Sequence, residues 1–240
     1  MLFTFPVFAI TENIEQHYKK GLDAYRNDQY DLAIQEFESI LSNNWDSPEL
    51  YYNMGNAFYR IGNIGGTVWA YENCLMISPN HTDAKYNLQL ANLKVKDRME
   101  LPDPPIYLKW YMSIKERYTP PIWTNITLLI LLLFSISVFI LRMGLLDSRY
   151  YIPGTMLTIL FISLFFTLHT IWTKNSVIQG IIYNIKVEAR SEPNKFSTRL
   201  FEVHEGLKVS VNQTSDDWAE IELLDGKSGW IALSQIRLIK

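Results

Sequence analysis

Residues 20–41 read KGLDAYRNDQYDLAIQEFESIL and residues 54–75 read MGNAFYRIGNIGGTVWAYENCL, and the likeness of these two stretches decides the fold of the N-terminal part. Matching residues stand 34 positions apart: Gly21 with Gly55, Tyr25 with Tyr59, Phe37 with Tyr71, and Leu41 with Leu75. A fixed period of this length is typical of helical repeats, in which each unit is a helix pair that stacks on the next. The glycines allow two helices to approach where any side chain would clash. We therefore predict two helical hairpins, the second with helices at about residues 48–61 and 64–77.

The period, the small residue early in one helix and the aromatic residues on both helices resemble the tetratricopeptide repeat. The matching positions are Gly21, Tyr30, Ala33 and Phe37 in the first copy and Tyr51, Gly55, Phe58, Tyr71 and Pro79 in the second. The resemblance implies an all-α superhelix of two repeats and a capping helix over residues 11–100, with a concave groove that binds extended peptides or partner helices. Matching by position places five residues in that groove: Tyr52, Asn53, Asn56, Arg60 and Asn87. A solvated helix face without a ligand is the alternative for the same residues.

The stretch GNIGGT at residues 62–67 raises the question of a phosphate-binding loop. Such a loop needs a strand before it and a Lys-Ser/Thr pair after it. A predicted helix precedes this stretch and Val68-Trp69 follows it, so that we interpret the glycines as a turn between two helices. Gly65 and Gly66 then occupy the start of the second helix, where each glycine costs up to about 1 kcal/mol. The pattern predicts a helix that frays at its start.

Two blocks, Ile122–Leu141 and Ile152–Trp172, contain no Asp, Glu, Lys or Arg. About 20 helical residues cross the roughly 30 Å hydrocarbon core of a bilayer. A pair of buried core helices is the alternative, but the first block is apolar nearly all the way round, which favours a transmembrane helical hairpin in contact with the lipid bilayer. Aromatic rings that are stable at the headgroup level stand near the ends of both blocks: Trp123, Tyr150, Tyr151 and Trp172. In the proline-rich juxtamembrane linker, residues 101–121, the apolar residues suggest a segment that lies in the membrane interface.

Two spans return the chain to its starting side, so that the parts before and after the hairpin share one compartment. Lysine and arginine flank both sides at similar density, with a slight lean towards a cytoplasmic loop between the spans. Residues 1–10 end in a small-x-small pattern, Val7-Phe8-Ala9, and resemble the remnant of a signal peptide. We therefore expect a multi-pass membrane protein with both soluble domains outside the cytoplasm.

Beyond Trp172 the apolar residues recur with a period of two, as in IKVEAR at residues 185–190 and LKVSV at residues 207–211. Short strands of this kind predict a small all-β barrel over residues 176–240. The order of its residues resembles bacterial SH3 domains, with matching positions at Gly206, Trp218, Gly226, Gly229 and Trp230. Alternation directs the Trp218 indole outward as a partner-binding residue, whereas Trp230 is expected in the core. Ala232 and Ile236 replace the proline and tyrosine of the usual ligand groove, which argues against proline-rich ligands.

Composition and residue spacing argue against several functions. The net charge is −3, which gives no basic surface for nucleic acid. The single cysteine, Cys74, excludes an internal disulfide, and the four histidines are scattered, without the spacing of a metal site. His169 lies within the second block, where an ionisable residue suggests a function, but it stands close enough to the end to reach the interface. We expect no catalytic residues, no metal and no cofactor, and hence a protein that is not an enzyme.

The order of two repeats with a cap, proline-rich linker, membrane hairpin and SH3-like barrel resembles the BatE-type proteins of the Bacteroides aerotolerance operon. This resemblance implies a multidomain protein of the bacterial inner membrane that acts beside von Willebrand factor A domain membrane proteins and a MoxR-type ATPase. The main hypothesis is a non-catalytic scaffold with periplasmic soluble domains. The runner-up is a cell-wall-binding protein whose barrel contacts peptidoglycan while the repeats recruit a hydrolase or sensor. A transporter subunit is a weaker third hypothesis, because the spans lack paired charges.

Overall fold

The computed structural model describes residues 5–97, 105–115, 117–118, 120–143, 151–176 and 178–239, without the side chains of residues 5–12, 151–153 and 173–176. The chain forms two compact units: residues 1–101 together with 178–240, and residues 102–177. Parts of several predicted features lie outside the described residues: residues 1–4 of the signal-peptide remnant, 98–100 of the repeat unit, 101–104, 116 and 119 of the linker, Tyr150, and residues 177 and 240 of the barrel. The predicted domain boundaries stay a prediction.

The first unit begins with two helical hairpins and one further helix. Their bounds are α1 Phe5–Arg26, α2 Tyr30–Ser42, α3 Pro48–Arg60, α4 Ile64–Ile77 and α5 Thr82–Asn92. Ser47 caps α3 through its side chain, which accepts a hydrogen bond from the Leu50 N–H, and Gly62, with φ of 78°, forms the turn before α4. The predicted helix pair is confirmed to within a residue at each end, and so is the turn.

The same contact between a glycine and an aromatic ring occurs in both helical hairpins, at positions 34 residues apart. A Cβ added to Gly21 would lie 2.4 Å from the Phe37 ring, and one added to Gly55 would lie 2.5 Å from the Tyr71 ring. Each aromatic ring therefore fills the place that a side chain on the glycine would occupy. This packing, with Phe37 and Tyr71 fully buried, holds each hairpin closed.

The C-terminal part of the first unit is a seven-stranded antiparallel sheet, called here the C-terminal sheet. Its strands are β1 Ile178–Ile182, β2 Lys186–Arg190, β3 Arg199–His204, β4 Lys208–Ser215, β5 Trp218–Glu222, β6 Ser228–Ala232 and β7 Ile236–Leu238. They are ordered β3-β2-β6-β5-β4-β1-β7. Residues from every strand share one buried cluster, which requires the sheet to curl around it. The predicted all-β class is confirmed, and β1, β3 and β7 are strands that the sequence pattern did not identify.

The second unit contains α6 Ile106–Lys115, α7 Pro120–Arg142 and α8 Tyr151–Ser176. Residues Pro120–Arg142 and Gly154–Trp172 are long and apolar enough to cross a membrane, with mean hydropathies of 2.5 and 1.8. In the most apolar 18 residues of each stretch, 0% and 17% of the residues are buried, so these parts do not form a protein core. Thr127 on α7 bonds to Ser163 and Thr167 on α8, so that polar groups pair between the two helices.

Candidate partner-binding sites

The first candidate site is a cleft of about 140 Å³ between the helical hairpins and α5, called here the repeat cleft. Its lining residues come from α1, α3, α4 and α5: Tyr25, Asn56, Tyr59, Arg60, Tyr71, Asn87 and Leu90. The structure thus brings together Asn56, Arg60 and Asn87 of the five predicted groove residues. Asn53 instead donates a hydrogen bond to the Tyr18 hydroxyl at 2.9 Å, and the Tyr52 ring packs 4.8 Å from the His81 ring.

A hydrogen-bond network forms the floor of the repeat cleft. The Tyr71 hydroxyl donates to Asn56 Oδ1 at 2.7 Å, and Asn87 Nδ2 donates to the same oxygen at 3.2 Å. Burial raises the pKa of Tyr71 far above its usual value, so that its hydroxyl keeps the proton it donates. This network engages one end of each amide. Among the described residues, Asn56 Nδ2 and Asn87 Oδ1 bond to no other group, which leaves one donor and one acceptor for a peptide backbone.

The rim of the repeat cleft carries cations held on aromatic rings. Arg60 donates from Nε to the Tyr30 hydroxyl at 2.9 Å, and its guanidinium lies 5.0 Å from the Tyr30 ring centroid. Lys94 Nζ lies 4.1 Å above the Tyr59 ring. Asp28, at 3.6 Å from Arg60, is the nearest opposing charge. A ligand with a carboxylate near Arg60 would replace or share this weak, exposed pair.

The second candidate site is a cleft of about 400 Å³ on the outer face of the C-terminal sheet, called here the sheet cleft. It is lined by Lys186, Glu188, Arg190, Lys195, Trp218, Ala232 and Gln235. Trp218 is half-buried, on the opposite side of β5 from the buried Ala219 and Ile221, as predicted. Arg190 is tied to Glu188 at 3.0 Å and to the Ser197 carbonyl oxygen at 2.9 Å. The site therefore combines one aromatic face with fixed charges of both signs.

The expectation that Trp230 lies in the core is wrong. On β6 the buried residues are Gly229 and Ile231, and Trp230 between them is half-buried on the outer face. It stands opposite Glu220 on one neighbouring strand and Arg190 on the other. Large size favours burial of tryptophan on average, but the period of two along the strand decides the side on which it lies.

The C-terminal sheet packs directly on the start of α4, at the glycine pair that the sequence places in a fraying helix start. A Cβ added to Gly65 would lie 2.8 Å from the Ile182 carbonyl oxygen and 2.9 Å from that of Tyr183. These are backbone atoms, which cannot rotate out of the way. Gly65 is therefore the place where α4 and the end of β1 touch. Beside it, the Glu205 carboxylate accepts hydrogen bonds from the Ile64 and Gly65 N–H groups at 3.1 and 3.2 Å.

These contacts overturn the prediction that α4 frays at its start. Four N–H groups at a helix N-terminus lack partners within the helix, and the positive end of the helix dipole favours a carboxylate there. Glu205 bonds to two of these groups, and Asn63 accepts from the Gly66 N–H at 2.7 Å. Every residue from Ile64 to Tyr71 is buried. The stabilising partner lies about 140 positions away in the chain, beyond the reach of a local sequence argument.

Further bonds extend the interface along α4 and α2. Trp69 Nε1 donates to the Leu238 carbonyl oxygen at 2.9 Å, and Lys208 pairs with Glu72 at 2.9 Å. Arg237 pairs with Glu38 at 2.8 Å, and its guanidinium lies over three rings, with centroid distances of 4.1 Å to Tyr183, 4.9 Å to Trp69 and 5.6 Å to Phe58. Backbone, ionic and cation–π contacts together join the sheet to the helical hairpins.

At the edge of this interface, Asp97 accepts a hydrogen bond from the His204 backbone N–H and lies 3.0 Å from its ring Nδ1. The His204 ring also faces Lys96 at 2.8 Å and Glu202 at 3.3 Å. His204 thus has partners both in the C-terminal sheet and in the segment that follows α5. His17, near Glu36 at 2.6 Å, is likewise engaged within the first hairpin.

The strand β1 contributes residues to two buried clusters, one inside the C-terminal sheet and one in the helical hairpins. Ile182 belongs to the buried cluster inside the C-terminal sheet, while Ile181 belongs to the cluster of the helical hairpins. Sheet strands with both faces covered read as continuous apolar runs rather than alternating ones. In β1 only Gly180-Ile181-Ile182 has this form, since these residues are buried whereas Ile178 is exposed. This short run is a signal that could have indicated the interface in advance.

Comparison with curated proteins found no match. A comparison with protein-family models matched residues 185–237 to the bacterial SH3 domain. This range includes β2 to β6, and with them the lining of the sheet cleft, and it begins after β1. The C-terminal sheet is therefore similar to a bacterial SH3 domain, with β1 as the strand that attaches it to α4.

Proposed function

We propose that the chain is a non-catalytic scaffold of the bacterial cell envelope, anchored by the hairpin of α7 and α8, which holds protein partners in the repeat cleft and the sheet cleft. The observation that carries the proposal is the interface at Gly65. It joins the two clefts in one compact unit although the hairpin separates them in the chain. A scaffold needs binding sites at a fixed separation, and an interface with this many bonds provides one.

Membrane topology supports the same proposal. The interface requires residues before and after the hairpin to lie on one side of the membrane, and two spans bring them there. A bacterial SH3 domain suits an envelope location, which we propose to be the periplasmic side of the inner membrane. The residues that line the two clefts are amides, aromatic rings and paired charges rather than a nucleophile beside a base, which supports binding rather than catalysis.

The proposed partners of the repeat cleft are membrane proteins, of which the von Willebrand factor A domain proteins implied by the BatE-type resemblance are the first candidates. The test is photo-crosslinking in cells from a benzoyl-phenylalanine at Tyr59, inside the cleft, with Trp45 as the exposed site outside it. We expect adducts with membrane proteins from position 59, lost in Arg60→Ala and retained in Arg26→Ala. Arg26 is an exposed arginine that is not among the residues lining the cleft. Identical adducts from both positions would reject the cleft as the partner site.

A second candidate function, binding of peptidoglycan by the sheet cleft, is favoured by the match to bacterial SH3 domains and by the exposed side of Trp218. The full-length protein in detergent should then sediment with purified sacculi, and Trp218→Ala should stay in the supernatant while Trp45→Ala sediments. The isolated sheet is unsuitable for this assay, because it would expose Ile181 and Ile239, which pack on the helical hairpins. Wild-type protein that stays in the supernatant would leave the protein scaffold as the function.

A further inference from the structure

We infer that α6 lies in the membrane interface, between headgroups and acyl chains, and that Ile106, Tyr107 and Trp110 are its lipid-contacting residues. This inference rests on the proposed membrane anchor, since it places α6 relative to helices taken to cross the bilayer. It assigns a partner, the lipid bilayer, to a helix that belongs to neither cleft.

Contacts within the second unit fix α6 against the end of the hairpin. The Tyr111 hydroxyl bonds to His169 Nδ1 on α8 at 2.8 Å, and its ring stacks 5.6 Å from the Phe166 ring. Phe166 in turn stacks on Trp123 at 5.1 Å, and Trp123 Nε1 donates to the Lys115 carbonyl oxygen at 3.4 Å. Because α6 meets both α7 and α8, its position follows theirs.

These contacts correct one expectation about the aromatic belt. Trp123 was expected to face the headgroups, but it is 8% exposed and packs inside the hairpin against α6. Trp172, at 69% exposed, remains available for the headgroup region. The His169 side chain, the ionisable group within the span, is bonded to Tyr111, which supports a structural role for it.

The position of Tyr111 along α8 gives the depth of α6. Trp172 marks the level of the interface, where amphipathic rings are most stable. His169 and Phe166 precede it by three and six residues, which at 1.5 Å per residue places them about 4.5 and 9 Å further towards the bilayer centre. Tyr111 contacts both residues, so the side of α6 that carries it lies below the Trp172 level. An amphipathic interfacial helix typically lies about 5–10 Å into the headgroup and acyl boundary.

The free surface of α6 has the chemistry that this depth requires. Ile106 is 86% exposed, and Tyr107 and Trp110 are each 68% exposed. Soluble surfaces rarely display such a contiguous apolar patch, whereas the interfacial zone stabilises it. Lys109 is exposed on the same helix, and Arg117 is exposed just beyond its end. Basic residues at this level attract anionic headgroups. The bilayer is therefore the occupant that depth, apolar surface and charge together indicate.

The test is spin labelling of the full-length protein in nanodiscs of phosphatidylcholine and phosphatidylglycerol, with labels read by collision with oxygen, which concentrates in lipid, and with a water-soluble nickel chelate. Labels are placed at Trp110→Cys or Tyr107→Cys on α6, at Leu132→Cys in the middle of α7 and at Leu224→Cys in the turn between β5 and β6. Leu132 and Leu224 are 56% and 57% exposed, so that labels there disturb little packing. The native Cys74 is buried and gives no background signal.

We expect the α6 labels to favour oxygen over nickel, to a degree between the labels at positions 132 and 224. An α6 label as accessible to nickel as position 224, while position 132 stays in lipid, overturns the inference and leaves the membrane anchor standing. An α6 label shielded from both reagents also overturns it, since protein would then cover the patch. If position 132 itself lies in water, the proposed anchor fails, and that outcome is distinguishable from the other two.

Discussion

Replacement of Gly65 by alanine tests whether helix propensity or the contact with β1 determines the stability of the start of α4. In an isolated helix, Gly→Ala stabilises by about 1 kcal/mol. In this structure the new Cβ would lie 2.8 Å from a carbonyl oxygen of Ile182 and 2.9 Å from that of Tyr183. Ordinary contacts begin near 3.4 Å. The strand end must therefore move away by about half an ångström, and overpacking of this kind typically costs 1–3 kcal/mol. Helix propensity therefore predicts that Gly65→Ala stabilises the protein, whereas the contact with β1 predicts that it destabilises the protein.

We expect Gly65→Ala to destabilise the full-length protein, because the clash is with backbone and the displaced sheet also lengthens the bonds from Glu205 to the start of α4. Glu205→Gln keeps the shape of the side chain but removes the charge at the helix N-terminus, and should cost roughly 1 kcal/mol. The two effects should not add, since each acts on the same two hydrogen bonds.

The assay is thermal unfolding combined with hydrogen exchange of the amides in α4 and β1, measured in detergent for both single variants and the double variant. Gly62→Ala is not a suitable control, because φ of 78° strains alanine there. Gly154→Ala is suitable, since a Cβ at that position meets nothing within 4 Å. A Gly65→Ala protein that is more stable than wild type, with unchanged exchange in β1, would refute the interface.

Three further outcomes follow from the described contacts. The buried Tyr51 hydroxyl has no hydrogen-bond partner among the described residues, so Tyr51→Phe should leave the melting temperature unchanged or raise it. Tyr71→Phe, by contrast, breaks the bond to Asn56 in the repeat cleft and should lower stability by about 1 kcal/mol. Cys74 is buried and burial raises its pKa to about 12, so that maleimide at pH 8 should label it only after denaturation; labelling of the native protein would contradict this packing. Arg237→Ala removes cation–π contacts and an ion pair at the interface and should cost roughly 2 kcal/mol in urea unfolding, whereas Arg199→Ala on the exposed sheet should cost less than about 0.5 kcal/mol. Equal effects of the two arginine variants would argue against a special role for Arg237.

The elements predicted well from the sequence are those whose stabilising contacts lie within one period of the repeat. Gly55 and Tyr71 are 16 positions apart and in contact. The repeat pattern that identifies both residues therefore also predicts that they pack against each other. In the same way, alternation along β5 placed Trp218 outside without knowledge of any other strand. Where structure is determined by neighbours in sequence, pattern and packing coincide.

The residues of the candidate sites are predicted less completely. A position in a repeat motif predicts the direction of a side chain, but it does not predict which other side chains that residue contacts. Asn53 and Tyr52 were expected to meet a ligand, and the structure gives them the Tyr18 hydroxyl and the His81 ring instead. Tyr18 lies on α1 and His81 is the N-cap residue of α5, and side-chain contacts between such separate elements cannot be read from a repeat motif. Five residues of the sheet cleft are not predicted from the sequence, because their side chains converge only after the strands and loops of the sheet pack together: Lys186, Glu188, Arg190, Lys195 and Gln235.

At the interface, the start of α4 in the helical hairpins lies opposite β1 of the C-terminal sheet, and each of these segments would be unstable alone. The helix α4 starts with two glycines and, alone, would lose helical stability there. The strand β1 is apolar on both faces and, alone, would expose Ile181 to water. Each defect is removed by the other module: the glycine admits the strand end, Glu205 satisfies the helix N-terminus, and the helices cover Ile181. Neither the helical hairpins nor the C-terminal sheet is complete without the other, so each folds fully only in contact with the other. Under the proposed membrane anchor, both must then stand on the same side of the bilayer, which an even number of spans between them allows.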